Sequence, residues 1–164
     1  MRRASLITLL IIASSCVRAE PIRIVRDAPR DRIWVLETDA VVLHERARTR
    51  RFELPGWIHA RVAYVCPPDL AIDARGAAVV TSNVVPVLWR VEPEKGVVGR
   101  HELALDADND KDIGFSQIRY AVAEQVFYAT SDTNGSLWRI DAELRTAHKL
   151  GSSKLEAMSC ARAS

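Results

Sequence analysis

An internal repeat constrains the fold of this 164-residue chain more than any other feature of its sequence. When the sequence is shifted by 49 positions, residues 81–92 align without a gap with residues 130–141. Five aligned pairs are identical (Thr, Ser, Leu, Trp and Arg), whereas chance gives about one at average residue usage. A period of this length is typical of arrays of supersecondary units.

Each copy predicts a meander of four short antiparallel strands, because runs of β-branched and aromatic residues alternate with turn-forming residues. The strongest hairpin signal is the Asn134-Gly135 pair in the last copy. We predict an all-β fold with units at residues 22–54, 57–105 and 113–150, followed by one leftover strand at 155–160. The fourth strand of the middle unit is predicted at residues 99–105.

Four-stranded units of about 40–50 residues are the blades of β-propellers. The segments Gly135–Asp141 and Gly114–Ser116 resemble blades of bacterial exported propellers of the NHL-like, gluconolactonase-like and phytase-like group. The resemblance covers residues 57–160 and implies a propeller-like fold, but it carries over no active-site residue.

The predicted three blades and one strand fall short of the 4–8 blades of closed propellers. Unpaired strand edges are templates for association, so three arrangements remain open. A second copy completes the ring in a homodimer, the sheets stack compactly in a monomer, or the chain is a shortened form of a longer propeller.

The repeat also predicts core positions. Trp89 and Trp138 occupy the same position in the third strand of their units, next to Leu88 and Leu137. Equivalent positions in repeats usually serve packing, so we interpret these residues as core between blades rather than as a platform for a ligand.

The N-terminus has the layout of a secretory signal peptide, with a basic start, a short apolar run from Leu6 to Ala13 and small residues before the expected cleavage site after Ala19. We therefore predict a signal peptide at 1–19 and a mature periplasmic or extracellular domain at 20–164. Lipoprotein processing with a lipid anchor on Cys16 is the alternative. No segment of the mature chain reaches the roughly 20 apolar residues of a transmembrane helix.

Export changes the charge balance of the chain. Removal of residues 1–19 deletes three arginines, which leaves 20 basic against 21 acidic side chains and lowers the formal net charge from +2 to −1. A nearly neutral chain lacks the basic footprint that nucleic-acid binding requires, so this class of function is excluded.

Two cysteines, Cys66 and Cys160, remain after the predicted cleavage, and an oxidising compartment permits them to pair. Two buried thiols are the alternative. Neither cysteine has the spacing of a metal site, and the four histidines show no ligand spacing.

One acidic segment stands out between the second and third blades. Alternating carboxylates in a loop can converge on calcium, which takes 6–8 oxygen ligands, but Lys111 replaces the glycine of an EF-hand loop and Gln117 its final glutamate. A solvated acidic loop is therefore the simpler interpretation. Together with one turn of the last blade, the segment forms our predicted binding surface: Asp106, Asp108, Asp110, Asp112, Asp132 and Asn134, of which the first four are the candidate calcium ligands.

Three functions remain open from the sequence. The favoured one is an exported non-catalytic protein that uses its blade-top loops to hold a small ligand or a protein partner and requires no cofactor. The second is a calcium-assisted hydrolase or lactonase of the gluconolactonase-like kind. The third is a truncated propeller without independent activity.

Overall fold

The computed structural model describes residues 20–61, 66–106, 113–131 and 135–152. Within these ranges the chain is almost entirely β-structure, with one 3₁₀ turn at Ala28–Arg30, and holds no helix long and apolar enough to cross a membrane. The strands are β1 (Arg23–Asp27), β2 (Arg32–Leu36), β3 (Ala40–Glu45), β4 (Arg48–Glu53), β5 (Leu70–Ile72), β6 (Ala78–Thr81), β7 (Val87–Glu92), β8 (Val97–Glu102), β9 (Ala104–Leu105), β10 (Gln117–Ala121), β11 (Val126–Ser131), β12 (Ser136–Ile140) and β13 (Thr146–Ser152).

The strands form three antiparallel meanders in chain order. Blade 1 consists of β1–β4, blade 2 of β5–β8 and blade 3 of β10–β13. The repeated segments become β7 and β12, which are the third strands of blades 2 and 3. The predicted all-β fold of repeated four-stranded units is therefore confirmed. The leftover strand predicted at residues 155–160 lies outside the described residues.

The fourth strand predicted at residues 99–105 is wrong in its second half. β8 ends at Glu102, and β9 pairs in parallel with β13 at the outer edge of blade 3. The change falls at Leu103, which is buried in the core between blades 2 and 3. Beyond it, the N–H of Ala104 donates to the carbonyl oxygen of Arg145 at 2.8 Å, so the chain has already moved to the next blade.

Two apolar cores lie between the blades, and blade 2 contributes to both. Successive side chains of a strand point to opposite faces, so Ala78 and Val80 of β6 pack toward blade 1, whereas Val79 packs toward blade 3. We call these cores 1–2 and 2–3. Blade 1 supplies core 1–2 with Trp34, Leu36, Val41, Leu43, Phe52 and Leu54, and blade 3 supplies core 2–3 with Ile118, Phe127, Ala129, Trp138, Ile140, Leu144 and Ala147.

The two tryptophans of the repeat are fully buried, one in each core. Trp89 lies in core 1–2, and Trp138 lies in core 2–3 against the edge of Phe115, with ring centroids 6.2 Å apart. Each tryptophan therefore packs toward the preceding blade. Leu88 is also fully buried, but Leu137 is only partly buried, because no described sheet packs against its side of blade 3.

Arginines of one blade hold a turn of the next. Arg50 of blade 1 donates to the carbonyl oxygen of Pro93 in the β7–β8 turn at 2.6 Å, and Arg90 of blade 2 donates to the carbonyl oxygen of Ala142 in the β12–β13 turn. Pro93 and Ala142 are 49 positions apart. The acceptor turns of the two interfaces therefore follow the sequence repeat, whereas the donors do not, since Arg50 lies on β4 and Arg90 on β7.

At the opposite end of blade 2, the β6–β7 turn is enclosed on both sides. The buried Asn83 side chain donates to the carbonyl oxygens of Ala60 and Cys66, both at 2.9 Å, and accepts from the N–H of Ala60 at 2.8 Å. Gly114 approaches the other side so closely that a Cβ built on it would lie 2.0 Å from the Asn83 carbonyl carbon. This contact leaves no room for a side chain at Gly114.

Candidate functional site

Most of the predicted acidic binding surface lies outside the described residues. This holds for Asp108, Asp110, Asp112, Asp132 and Asn134, whose role stays a prediction. Asp106 is described, directly after β9. Since β9 runs parallel to β13, the chain at Asp106 is directed toward the end of blade 3 where β11 and β12 are joined.

The carboxylate of Asp106 is engaged by β13. Its Oδ1 accepts the N–H of Lys149 at 2.9 Å, and its Oδ2 lies 3.1 Å from Nδ1 of His148. The N–H of Lys149 and then the His148 contact hold the pKa of Asp106 below its ordinary value. Both oxygens of Asp106 thus have protein partners, and the side chain anchors the connection between blades 2 and 3.

Neither predicted cysteine pairing nor predicted metal binding is decided by the described residues. Cys66 is disulfide-bonded, so the alternative of two buried thiols is wrong, but Cys16 and Cys160 both lie outside the described ranges. The pairing of Cys66 with Cys160 therefore stays a prediction. Within the described ranges, no group of three or more His, Cys, Asp or Glu side chains is arranged to hold a metal ion.

A charged cleft of about 440 Å³ lies at the other end of blade 2, where the β5–β6 and β7–β8 turns face the β12–β13 turn of blade 3. Sequence reasoning did not find this site, because its residues come from four separated segments that only the blade packing brings together. Its ionisable lining side chains are Asp73, Arg75, Arg90, Glu92, Glu94, Lys95, His101 and Glu143.

A buried pair of opposite charges forms part of the cleft wall. Arg90 and Asp73 are each 8% exposed, and Nη2 of Arg90 lies 3.8 Å from Oδ2 of Asp73. Asp73 also accepts the N–H groups of Arg75 and Ala77 through Oδ1, both at 2.9 Å, which fixes the β5–β6 turn. The Nε of Arg90 is buried without a hydrogen-bond partner among the described residues, so the guanidinium has an unused donor.

His101 of β8 is the neutral polar group of the cleft. Burial lowers the pKa of His101, and the charge of Arg90 lowers it further, so the imidazole is uncharged at neutral pH. A Cβ on Gly99 would lie 2.9 Å from Nε2 of His101, so the glycine leaves room for the ring. His101 is partly exposed, and it lines this cleft.

Ion pairs occupy the rim of the cleft. Lys95 pairs with Glu92 at 2.6 Å, and Arg75 lies 3.7 Å from Glu143 across the gap between blades. The hydrogen bond from Lys95 holds the pKa of Glu92 below its ordinary value, despite an opposing contribution from burial. The rim therefore carries both signs of charge at neutral pH.

The turn that carries Glu143 is fixed by Asp141. The Oδ1 of Asp141 accepts the N–H of Glu143 at 2.8 Å, while Oδ2 accepts the N–H of Arg145 at 3.0 Å and the hydroxyl of Thr146 at 2.8 Å. Burial acts to raise the pKa of Asp141, but these hydrogen bonds outweigh it and hold the pKa below its ordinary value.

We expect Asp141→Asn to remove an acid-dependent part of the stability. A depressed carboxyl pKa contributes stability that is present above the unfolded-state pKa of about 3.9 and is lost as pH falls through the folded-state pKa. The free energy of unfolding of the variant, measured by urea unfolding, should be about 1 kcal/mol lower than that of the wild type at neutral pH. The difference should be smaller at pH values below the folded-state pKa. Asp39→Asn, at an exposed carboxylate, is the matched control; a pH-independent difference for Asp141→Asn contradicts the prediction.

Asp69 connects the inner strands of all three blades. It directly precedes β5, which contacts β1 and β10. Its Oδ1 lies 2.9 Å from Nε of Arg23 in blade 1, and its Oδ2 accepts the N–H of Ile118 in blade 3 at 3.2 Å. Burial raises the pKa of Asp69 despite these partners. Because both oxygens are engaged in joining blades, we interpret Asp69 as structural.

The comparisons with known proteins support the fold. No family model and no curated protein matches the chain. Two solved structures of virginiamycin B lyase from Staphylococcus aureus are similar to it, one substituted with selenomethionine and one a catalytically inactive variant with quinupristin. Each gives a TM-score of 0.57 at 16% identity and covers 79% of this chain and 40% of the lyase chain.

The lyase is a β-propeller enzyme, so the likeness supports a propeller-like fold for this chain. The chain spans less than half the length of the lyase, and the identity is too low for the likeness to extend beyond the fold. The resemblance to the NHL-like, gluconolactonase-like and phytase-like propellers in particular stays a prediction from the sequence.

Proposed function

We propose that the chain is an exported, non-catalytic binding protein and that the charged cleft beside blade 2 holds a small polar ligand. The observation that carries the proposal is a formed cleft in which the buried guanidinium of Arg90 and the neutral imidazole of His101 lie among rim side chains of both signs of charge. Ligand sites typically join a formed cavity to a few convergent polar groups.

The cleft favours a ligand that carries both a cationic and an anionic group. Arg90 is held as a buried cation, and the neutral His101 either donates or accepts a hydrogen bond. The rim pair of Lys95 and Glu92 is exposed, and exposed ion pairs contribute only about 0–1 kcal/mol. A zwitterionic ligand can therefore replace such a pair at little cost, whereas a ligand of one sign leaves one protein charge without its partner.

A matched set of small probes tests this proposal. We expect 6-aminohexanoate to shift the NMR signals of the His101 imidazole and to bind at least about tenfold more tightly than hexanoate or hexylamine, because a tenfold difference needs only about 1.4 kcal/mol from the second charged contact. The variant His101→Gln assigns the signal, and Glu92→Gln should remove the preference for the zwitterion. His44, which is exposed on blade 1, serves as the internal control. Equal binding of the three probes, or equal shifts at His44, contradicts the proposal.

Binding through the blade-top loops remains part of the proposal. The loop residues are Asp106, Asp108, Asp110, Asp112, Asp132 and Asn134. Binding of a protein partner through these loops should be weakened by Asp132→Asn and unaffected by Glu92→Gln, whereas binding in the cleft should respond in the opposite way.

The likeness to a propeller lyase keeps a catalytic alternative under consideration. In its calcium-assisted form, the alternative requires an ion at residues 106–112. A ligand that binds only the folded state stabilises that state. The calcium-assisted alternative is therefore supported if calcium raises the thermal unfolding midpoint and if Asp108→Asn removes this rise. With Asp106 engaged by β13, we expect no such rise. A truncated propeller without activity predicts no response to calcium and no binding of any probe.

A further inference from the structure

The outer face of blade 3 carries side chains that the sequence repeat relates to those at the interface between blades 2 and 3. Blade 2 packs on blade 3 through Leu88, which is fully buried, and Arg90, which reaches the carbonyl oxygen of Ala142. The repeat places Leu137 and Arg139 at the same positions of β12. Because strand residues alternate between faces, both lie on the side of blade 3 that faces away from blade 2.

This outer face of blade 3 is partly apolar. Leu137 and Arg139 are partly exposed, and Leu150 of the neighbouring strand is 52% exposed. Tyr128 and Thr130 stand opposite Arg139 and Leu137 in the β11–β12 register. The sequence has thus kept a leucine and an arginine that serve blade packing on a face that no described sheet covers.

The outer face of blade 1 is apolar at its centre. Ile24 and Ile33 are 58% and 43% exposed; Ile24 is opposite Val35 and Val35 is opposite Val42, whereas Ile33 lies between Arg26 and His44. These side chains occupy the face that Trp89 occupies in blade 2, which is the face that receives the preceding blade. Exposed apolar patches of this kind mark interaction surfaces.

We propose that a second copy of this chain covers these faces, with blade 3 of each copy packed on blade 1 of the other. The two contacts are then identical and related by a two-fold rotation, so six sheets form a closed ring, as expected for a symmetric dimer. Each contact continues the interface that joins blade 1 to blade 2 and blade 2 to blade 3. Arg139 is the repeat equivalent of Arg90, so the contact of Arg90 with the β12–β13 turn further assigns Arg139 a partner, the backbone of the β3–β4 turn of the other copy.

Light scattering of residues 20–164 after size exclusion tests the ring. We expect a mass twice that of the monomer, and a monomer for Leu137→Arg and for Ile33→Arg, each with the β-sheet circular dichroism of the wild type. Val97→Arg introduces the same charge at a valine that is 51% exposed outside both faces, so it should stay dimeric. Because arginines border both faces (Arg26, Arg119 and Arg139), added salt should strengthen the dimer by screening their repulsion.

Mixing the two monomeric variants distinguishes the proposed contact from other dimers. Ile33→Arg keeps an intact blade 3 face and Leu137→Arg an intact blade 1 face, so the mixture should regain one contact and form a heterodimer. A monomeric wild type overturns the proposal, as does an open series of higher oligomers. A dimer lost in only one of the two variants also overturns it, because that result indicates pairing of like faces.

Discussion

Gly114→Ala should destabilise the protein by about 3 kcal/mol, at the upper end of overpacking effects. The added methyl group would lie 2.0 Å from the carbonyl carbon of Asn83 and 2.1 Å from the nitrogen of Val84. Both are backbone atoms of a turn that Asn83 ties to residues 60 and 66. Since a close-packed interior relaxes little, the cost falls on the junction of blades 2 and 3. Urea unfolding followed by tryptophan fluorescence and circular dichroism measures it.

Gly56→Ala is the matched control for this substitution. Gly56 has a φ of +63°, but a Cβ there meets nothing within 4 Å. Its replacement should cost about 1–2 kcal/mol, the conformational penalty of a left-handed residue alone. If Gly114→Ala costs no more than Gly56→Ala, the close approach of the two chain segments does not hold in solution.

Trp138→Ala should destabilise the protein by about 3–5 kcal/mol, the usual cost of removing a fully buried large aromatic side chain. The indole fills core 2–3, and its Nε1 donates to the hydroxyl of Ser136 at 2.6 Å. Trp138→Phe retains most of the packing and should cost clearly less. Urea unfolding of both variants gives the two free energies.

The region of the protein that Trp138→Ala destabilises can be measured separately. Cores 1–2 and 2–3 contain different residues, and local stability can vary across a protein. Amide hydrogen exchange should therefore accelerate in blade 3 and on β6 before it accelerates in β2 and β3 of blade 1. Uniform loss of protection would show that the two cores unfold as one unit.

The repeat made most of the fold predictable. A tryptophan that recurs after 49 residues, beside turn-forming residues, marks the third strands of blades 2 and 3, which are β7 and β12. Alternation within these strands also predicts which side chains enter the cores. The exception is Leu137, whose exposure depends on what lies beside blade 3 rather than on its own strand.

The candidate site was less accessible to sequence reasoning. Asp73, Arg90 and His101 form no motif, and each looks like an ordinary polar residue near a turn. They share a cleft only because blades 2 and 3 pack against each other. Similarly, nothing local distinguishes Ala104 and Leu105 from the preceding strand, because their parallel partner is formed by residues 146–147. Periodicity reports on neighbours within one sheet, not on contacts between sheets.

The pairing of β9 with β13 has a consequence for the order of folding during synthesis. β9 is made before any strand of blade 3, but its partner is the last described strand of that blade. Contacts between residues so distant in sequence form late, because the intervening chain must first be ordered. The edge of blade 3 therefore closes only after β13 has emerged, and a nascent chain that stops short of this strand should be sensitive to proteases and aggregation at residues 104–105.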